Sequence, residues 1–272
     1  MDSDIDFQPH FPDKKIFLAF KVADKPRLEE MRKGLIYMNS LAYFSSLEEN
    51  TSESVRHDPL EKAYSRASAG KTEKGDSKLI LNISNKDENR VIDLGDDAVV
   101  TMEFGEPNNV MIFCMSAFAD DGTGIIPGEV NGTIPLDKRF LEFGSHILVI
   151  RNIGEFANRL NNSISSNPDV YWAEYFHEMY GLVEYKTLNN YSGHIGLYRK
   201  DIKYEWQREF RICFGVHSKG LNKKGAFELD IGDISDITEI ISVQSLLDKP
   251  LTFKRTLVKK VGDKYVEVPH KN

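Results

Sequence analysis

The chain has 272 residues, with 35 Lys+Arg against 42 Asp+Glu and a formal net charge of -7. That length suits one large domain or two small ones and buries about three quarters of the unfolded surface, so stability requires neither disulfides nor metals. The acidic balance argues against a protein that coats nucleic acid, whose affinity comes from neutralising phosphates with cations.

No segment approaches the roughly 18 consecutive apolar residues of a membrane helix. The opening Met1-Asp2-Ser3-Asp4-Ile5-Asp6 is acidic where a secretory leader would be basic and then apolar. Cys114 and Cys213 each sit in an apolar, strand-like run. They read as free, buried thiols of a reducing compartment, with a disulfide between distant strands as the alternative. A cytoplasmic location without membrane partners is expected.

In chain order, residues 1–15 are polar, contain Pro9 and Pro12, and predict an N-terminal arm. Residues 16–22 predict a buried strand. Asp24, Pro26, Leu28 and Met31 with a closing Gly34 predict a short helix with its start and stop signals in place. A strand over 35–39 and a helical turn over 41–44 follow. Residues 48–77 are polar, include Gly70 and Gly75, and predict a mobile surface loop. Beyond it, 78–84, 99–104, 110–118 and 146–150 have the length and side chains of strands. Ile153, Phe156, Ala157, Leu160 and Ile164 recur at helical spacing, which predicts an amphipathic helix over 153–165. Strands are predicted over 180–185, 195–198, 209–214 and 226–229, mixed signals over 234–247, and a hairpin turning at Gly262-Asp263. No repeat, low-complexity tract or linker divides residues 16–272, so they predict a single α+β domain.

The densest chemical signal is Tyr204-Glu205-Trp206-Gln207-Arg208-Glu209-Phe210-Arg211-Ile212-Cys213-Phe214. Alternate side chains of an extended chain share a face. Phe210, Ile212 and Phe214 then enter a core, while Gln207, Glu209 and Arg211 stand in a row on the other face, about 7 Å apart. One account of that row is a solvent-facing Glu209–Arg211 pair, worth little if exposed.

The other account rests on resemblance. Gln207-Arg208-Glu209 followed by an apolar strand resembles the Gln-x-Glu motif of the ADP-ribosyltransferase superfamily. The resemblance implies a split, mostly antiparallel sheet with peripheral helices, and NAD as co-substrate. It implies that Glu209 stabilises the ribosyl cation left by departing nicotinamide, since a preorganised charge in a dry pocket is a strong catalytic device. Gln207 would orient the nucleophile. Lys21 on the first strand would contact NAD, Ser116 in Cys114-Met115-Ser116-Ala117-Phe118 would brace the pocket, and Tyr37, Tyr43 and Phe44 would stack on nicotinamide. Arg211 would hold Glu209 ionised. The chain departs from the superfamily pattern in having Lys21 where Arg or His is usual, and in lacking a Ser-Thr-Ser triplet. The chain also resembles an uncharacterised bacterial family associated with mobile elements and phage defence. Residues 28–44, 57–61, 113–116 and 204–211 match its four sequence blocks in order.

Arg56-His57-Asp58-Pro59-Leu60-Glu61 reads in two ways. Asp58, Pro59 and Glu61 are the elements of a helix-capping box; His57, Asp58 and Glu61 could also form an acid–base or metal cluster. His57 would reach the pocket if its loop folded over it. A metal centre wants more His or Cys ligands than occur nearby, and no metal is expected. Trp172, Phe176 and Tyr180 would line one face of a helix, as core or partner groove. Arg199, Lys200 and Lys203 form a basic run before the Glu209 strand, either a solvated loop or a cradle for pyrophosphate or nucleic acid. Lys219, Lys223 and Lys224 form a second basic turn. P-loop, dinucleotide-fold and hydrolase-elbow glycine motifs are all missing.

The expectation is therefore NAD-dependent transfer of ADP-ribose to a macromolecular acceptor, protein or nucleic acid, by a toxin or phage-defence effector with an antitoxin or sensor partner. The alternative is a non-catalytic binding or sensor module of similar fold that recognises a phage component or partner protein. A metal-dependent nuclease using Asp58 and Glu61 is the third reading.

Overall fold

The computed structural model describes residues 14–47, 58–72, 75–84, 89–172, 176, 179–253, 258–261 and 264–267. Its central sheet has nine strands: β1 (Ile16–Ala23), β2 (Leu35–Ser40), β3 (Val110–Ala119), β4 (His146–Ile150), β5 (Val170–Tyr171), β6 (Tyr180–Leu182), β7 (Glu209–Val216), β8 (Phe227–Asp230) and β9 (Thr238–Ser242). The helices are α1 (Lys25–Arg32), α2 (Leu41–Ser46), α3 (Ile153–Ser166) and α4 (Val243–Asp248). This is an α+β architecture with few helices and mostly antiparallel sheets, as expected.

The sheet runs β5-β7-β3-β1-β4-β9, and its pairings are antiparallel. It splits at β3. One edge of β3 pairs with β7, and its other edge is shared by two strands. β1 takes Ser116 to Ala119, while β2 takes Met111 and Ile112. β8 extends the β2 side. On the outer edge of β7, β6 pairs residues 210–212 and β5 pairs residues 215–216.

Each face of the sheet buries a different layer. Leu28 and Met31 of α1, and Phe156, Leu160 and Ile164 of α3, pack on Phe113, Met115, Phe210, Ile212 and Phe214. The helical spacing of α3 places those three side chains inward, each worth about 1.5–3 kcal/mol when fully buried. Asn152 caps α3, its side chain accepting from the Glu155 N–H at 3.0 Å. The opposite face is covered near β1 by Phe140, Ile126, Val243 and Leu246, and near β7 by Leu41, Phe104, Phe176, Leu197 and Tyr198.

Gly34 closes α1 as the sequence predicts, and the structure gives the reason. Its φ is +111°, and a Cβ there would stand 2.4 Å from the Gly232 carbonyl oxygen. A side chain at that position meets both backbone strain and a backbone clash. Gly34→Ala is expected to cost more than about 1 kcal/mol, read as a lowered urea midpoint at unchanged m-value.

Several expectations change. The stretch read as a loop over 48–77 contains strands Ala63–Ser68, Gly70–Thr72 and Gly75–Ser77; residues 48–57 lie outside the described residues. Ala63–Ser68 pairs with Val99–Glu103 and Gly193–His194. Its polar sequence hides a strand whose partners come from distant segments. A hairpin of Ile80–Ser84 and Asn89–Asp93 follows. The predicted strand over 180–185 divides at Val183 into β6 and Glu184–Lys186, which pairs in parallel with Arg199–Asp201. Residues 195–198 are a buried connection rather than a strand, and the Tyr198 side chain hydrogen-bonds Cys213. Trp172 follows strand β5 and Tyr180 opens strand β6, so with Phe176 they do not line one face of a helix. The terminal hairpin is present as Val258–Val261 and Lys264–Glu267. Residues 1–13 of the predicted arm lie outside the described residues. Among those described, no helix is long and apolar enough to cross a membrane.

Candidate functional site: a buried ion cluster beneath the sheet

β7 alternates as read: Phe210, Ile212 and Phe214 enter the α1/α3 core, and Glu209, Arg211 and Cys213 take the opposite face. Gln207 does not continue that row by strand geometry. It ends a 3-10 turn over Ile202–Gln207, and Arg208 then adopts a left-handed conformation at φ 45°. The face is not solvent-facing either. A layer built from residues 58–63 and 184–207 covers it, and Glu209 and Arg211 are only 5% and 2% exposed.

Two carboxylates and two cations meet there. Arg211 Nε donates to Glu209 Oε1 at 2.7 Å, and Lys200 Nζ donates to Glu209 Oε2 at 3.0 Å. Arg211 Nη2 stands 2.7 Å from Glu61 Oε1 as an ion pair without an aligned N–H, so that buried oxygen has no hydrogen bond. Lys200 lies 3.8 Å from the other Glu61 oxygen and donates to Gln207 Oε1 at 3.3 Å. Arg211 Nη1 donates to the Leu197 carbonyl at 2.5 Å, and the Glu209 N–H donates to the Tyr185 hydroxyl at 2.8 Å. The cluster thus ties β7 to the Asp58–Glu61 turn and to strand Arg199–Asp201. Beside it, Arg199 is also buried, bound by Glu184 at 2.7 Å, the Tyr191 hydroxyl and the His194 carbonyl.

Burial pushes the Glu209 carboxyl up, but Arg211, Lys200 and hydrogen bonds from Arg211 and Cys114 outweigh it and hold the carboxyl below the carboxylate range. For Glu61 burial prevails over the same cations, and its carboxyl is raised. Burial would lower Lys200, yet Glu209 and Glu61 raise it overall, so it stays an ammonium. Burial, then Glu209, pushes the Cys114 thiol well up, and burial takes Cys213 to about 12. Both cysteines are free and neither is an activated nucleophile.

Ser116 stands directly opposite Glu209 in the β3–β7 register. Lys21 does not join them. The preceding residue on the same strand, Phe20, pairs with Ser116, so Lys21 leaves β1 on the other face, beside Ala19 and Ala23. Its ammonium donates to the Cys114 carbonyl and lies 4.6 Å from the Phe113 ring centroid. Residues 113–115 have neither β1 nor β2 as partner on that edge, and Lys21 fills the split. Tyr37 is 38% exposed in β2, opposite Glu228. Phe44 packs on the Leu41–Ile112–Cys213 cluster, with the Tyr43 ring edge-on at 5.4 Å. His57 lies outside the described residues.

The capping-box reading holds only for Asp58. Its Oδ1 accepts from the Leu60 N–H at 3.0 Å in a single turn, no helix follows, and Glu61 turns away to the cations. Lys200 and Glu61 are the residues sequence reasoning misassigned. Arg199 and Lys200, read as part of a solvated loop or of a cradle for pyrophosphate or nucleic acid, are 3% and 5% exposed, whereas Lys203 is exposed. Among the described residues no group of three or more His, Cys, Asp or Glu side chains has metal-holding geometry.

No family model, no curated protein and no solved structure matches the chain.

Proposed function

We propose that the chain is a non-catalytic binding or sensor module, in which Glu209 and Arg211 form an internal clamp with Lys200 and Glu61. One observation carries this. Both Glu209 oxygens are engaged by cations, at 2.7 and 3.0 Å, in a residue 5% exposed. A carboxylate that stabilises a developing cation must face the reacting atom. Here the Lys200 ammonium holds that position. Buried ion pairs cost desolvation that their attraction barely repays, and a role in specifying one arrangement of segments suits this cluster.

A second reading keeps the chemistry: NAD-dependent transfer of ADP-ribose to a macromolecule, with an ADP-ribosyltransferase-type sheet, as a toxin or phage-defence effector. In its favour, Ser116 lies opposite Glu209, and Gln207 and Glu209 converge on the same ammonium. It requires Glu209 to exchange Lys200 for the ribosyl cation.

The test is free nicotinamide released from NAD by wild type and Glu209→Gln, with cell lysate supplying acceptors. No release from either protein is the expected result. Release by wild type that vanishes in a folded Glu209→Gln variant would replace the binding module with the transferase.

A further inference from the structure

Residues 184–207 leave the central sheet and return to it at one place. Just before them the Val183 N–H donates to the Glu209 carbonyl at 2.9 Å, and just after them the Arg208 carbonyl accepts from the Ala117 N–H at 2.8 Å. Arg208 makes the return in the left-handed region, at φ 45° and ψ 47°, which a non-glycine residue keeps only while its surroundings hold it there.

Between those ends the segment is tied to itself. Strand Glu184–Lys186 pairs with Arg199–Asp201, Arg199 binds Glu184 at 2.7 Å, and Asp201 Oδ2 accepts from the Leu188 N–H at 3.0 Å. Leu188, Tyr191 and Ile195 share a small apolar cluster with Leu60 and Ala63, and Gly193–His194 pairs with Ser65 and Arg66. Residues 58–68 therefore belong to the same layer.

That layer meets β7 through charges. Lys200–Glu209 at 3.0 Å and Glu61–Arg211 at 2.7 Å cross the boundary. Each side is also paired within itself: Glu209 with Arg211 at 2.7 Å on β7, and Glu61 with Lys200 at 3.8 Å in the layer. Lifting the layer divides the cluster into two halves, each with one carboxylate and one cation, and strands no charge. Both halves regain water, which returns the desolvation cost of burying them. Leu197 and Tyr198 add an apolar contact, in one cluster with Ile112 and Cys213.

We infer that the layer opens from β7 as one unit, hinged at Val183 and Arg208, and that this opening is the conformational switch of the binding module. The role as a switch rests on the binding-module reading; the opening itself does not.

The test is labelling of the full chain with methyl methanethiosulfonate in rising urea, with modification at Cys213 located by peptide mass. Cys213 is 0% exposed, in the cluster with Leu197 and Tyr198, so lifting the layer uncovers it while the sheet stays folded. Its labelling should rise with urea at less than about half the slope of global unfolding, as a sub-global opening exposes less surface. Lys200→Met should raise the rate about tenfold or more, because the closed state then buries a carboxylate without its cation. Adding Glu61→Gln to Lys200→Met should bring the rate back toward wild type, since Glu209 and Arg211 remain as one neutral pair. Tyr185→Phe keeps the ring and loses only the acceptor of the Glu209 N–H. It should raise labelling in the same direction with the fold intact. Labelling of Cys213 along the full global slope would overturn the opening, and wild-type rates in both Lys200→Met and Tyr185→Phe would overturn the cluster as its latch. Failure of the binding-module reading shows instead as nicotinamide release, which thiol labelling does not measure.

Discussion

Arg211→Met should destabilise the protein by about 3–5 kcal/mol, the cost of removing one partner from a buried ion pair. Arg211 is 2% exposed and holds three partners at once: it donates to Glu209 Oε1 and the Leu197 carbonyl, and it forms an ion pair with Glu61. Without it, two carboxylates remain under the covering layer with Lys200 as their shared cation, 3.0 Å from one and 3.8 Å from the other. Methionine fills most of the volume, so lost charge compensation rather than a cavity is what the variant reports. A loss of that size is a large part of the 5–15 kcal/mol that stabilises a typical domain. The double variant Glu61→Gln/Arg211→Met should cost less than the sum of the single variants, because removing the stranded carboxylate relieves the penalty. Urea midpoints at pH 7 measure all three. A loss below about 1 kcal/mol for Arg211→Met would mean that the guanidinium is solvated and the clamp is not closed.

The second expected result is a pH dependence with two opposite signs. Glu209 has its folded pKa depressed below the ordinary 4.5 by Arg211 and Lys200, against burial. The unfolded chain therefore takes up the proton first as pH falls. The Glu209 contribution is complete above about 4.5 and is lost below it, by up to about 1.4 kcal/mol per pH unit. Glu61 has its folded pKa raised above 4.5 by burial. The folded state takes up that proton first, so the Glu61 contribution favours folding below 4.5 and is lost as pH rises through the raised value. Wild-type stability should thus gain from Glu61 on descending toward 4.5 and then fall as Glu209 is titrated. In Glu61→Gln the gain should vanish while the acid-side fall persists; in Glu209→Gln the fall should become shallower. Denaturant titrations from pH 7 down to about 3 resolve the two limbs. An unchanged profile in both variants would place neither carboxylate in a coupled cluster.

Much of the local structure is legible in the sequence because it depends on near neighbours. The period of Ile153, Phe156, Leu160 and Ile164 gives α3, and the alternation of Phe210, Ile212 and Phe214 gives the buried face of β7. Gly34 marks the end of α1 through its backbone freedom. The special character of Glu209 and Arg211 is also visible, as charges in an otherwise apolar strand. Ala63–Ser68 is not legible, because a polar strand earns its structure from partners at 99–103 and 193–194. Gln207 is misjudged because Arg208 leaves the extended region and breaks the alternation on which its face was counted.

By itself, then, the sequence determined the α+β class, the principal strands and helices, and the two-faced character of β7, all properties set by spacing within a few residues. Only the tertiary structure decided what the charges do. Whether Lys200 and Glu61 face water or a carboxylate and a guanidinium depends on which distant segment lies over β7. It brings the 58–61 turn and strand Arg199–Asp201 onto one face of the sheet. The same holds for Lys21, whose ammonium meets the Cys114 carbonyl because the sheet divides there. A charged side chain has the same local signature at the surface as in the interior, and the partner that makes its burial tolerable is supplied by the fold.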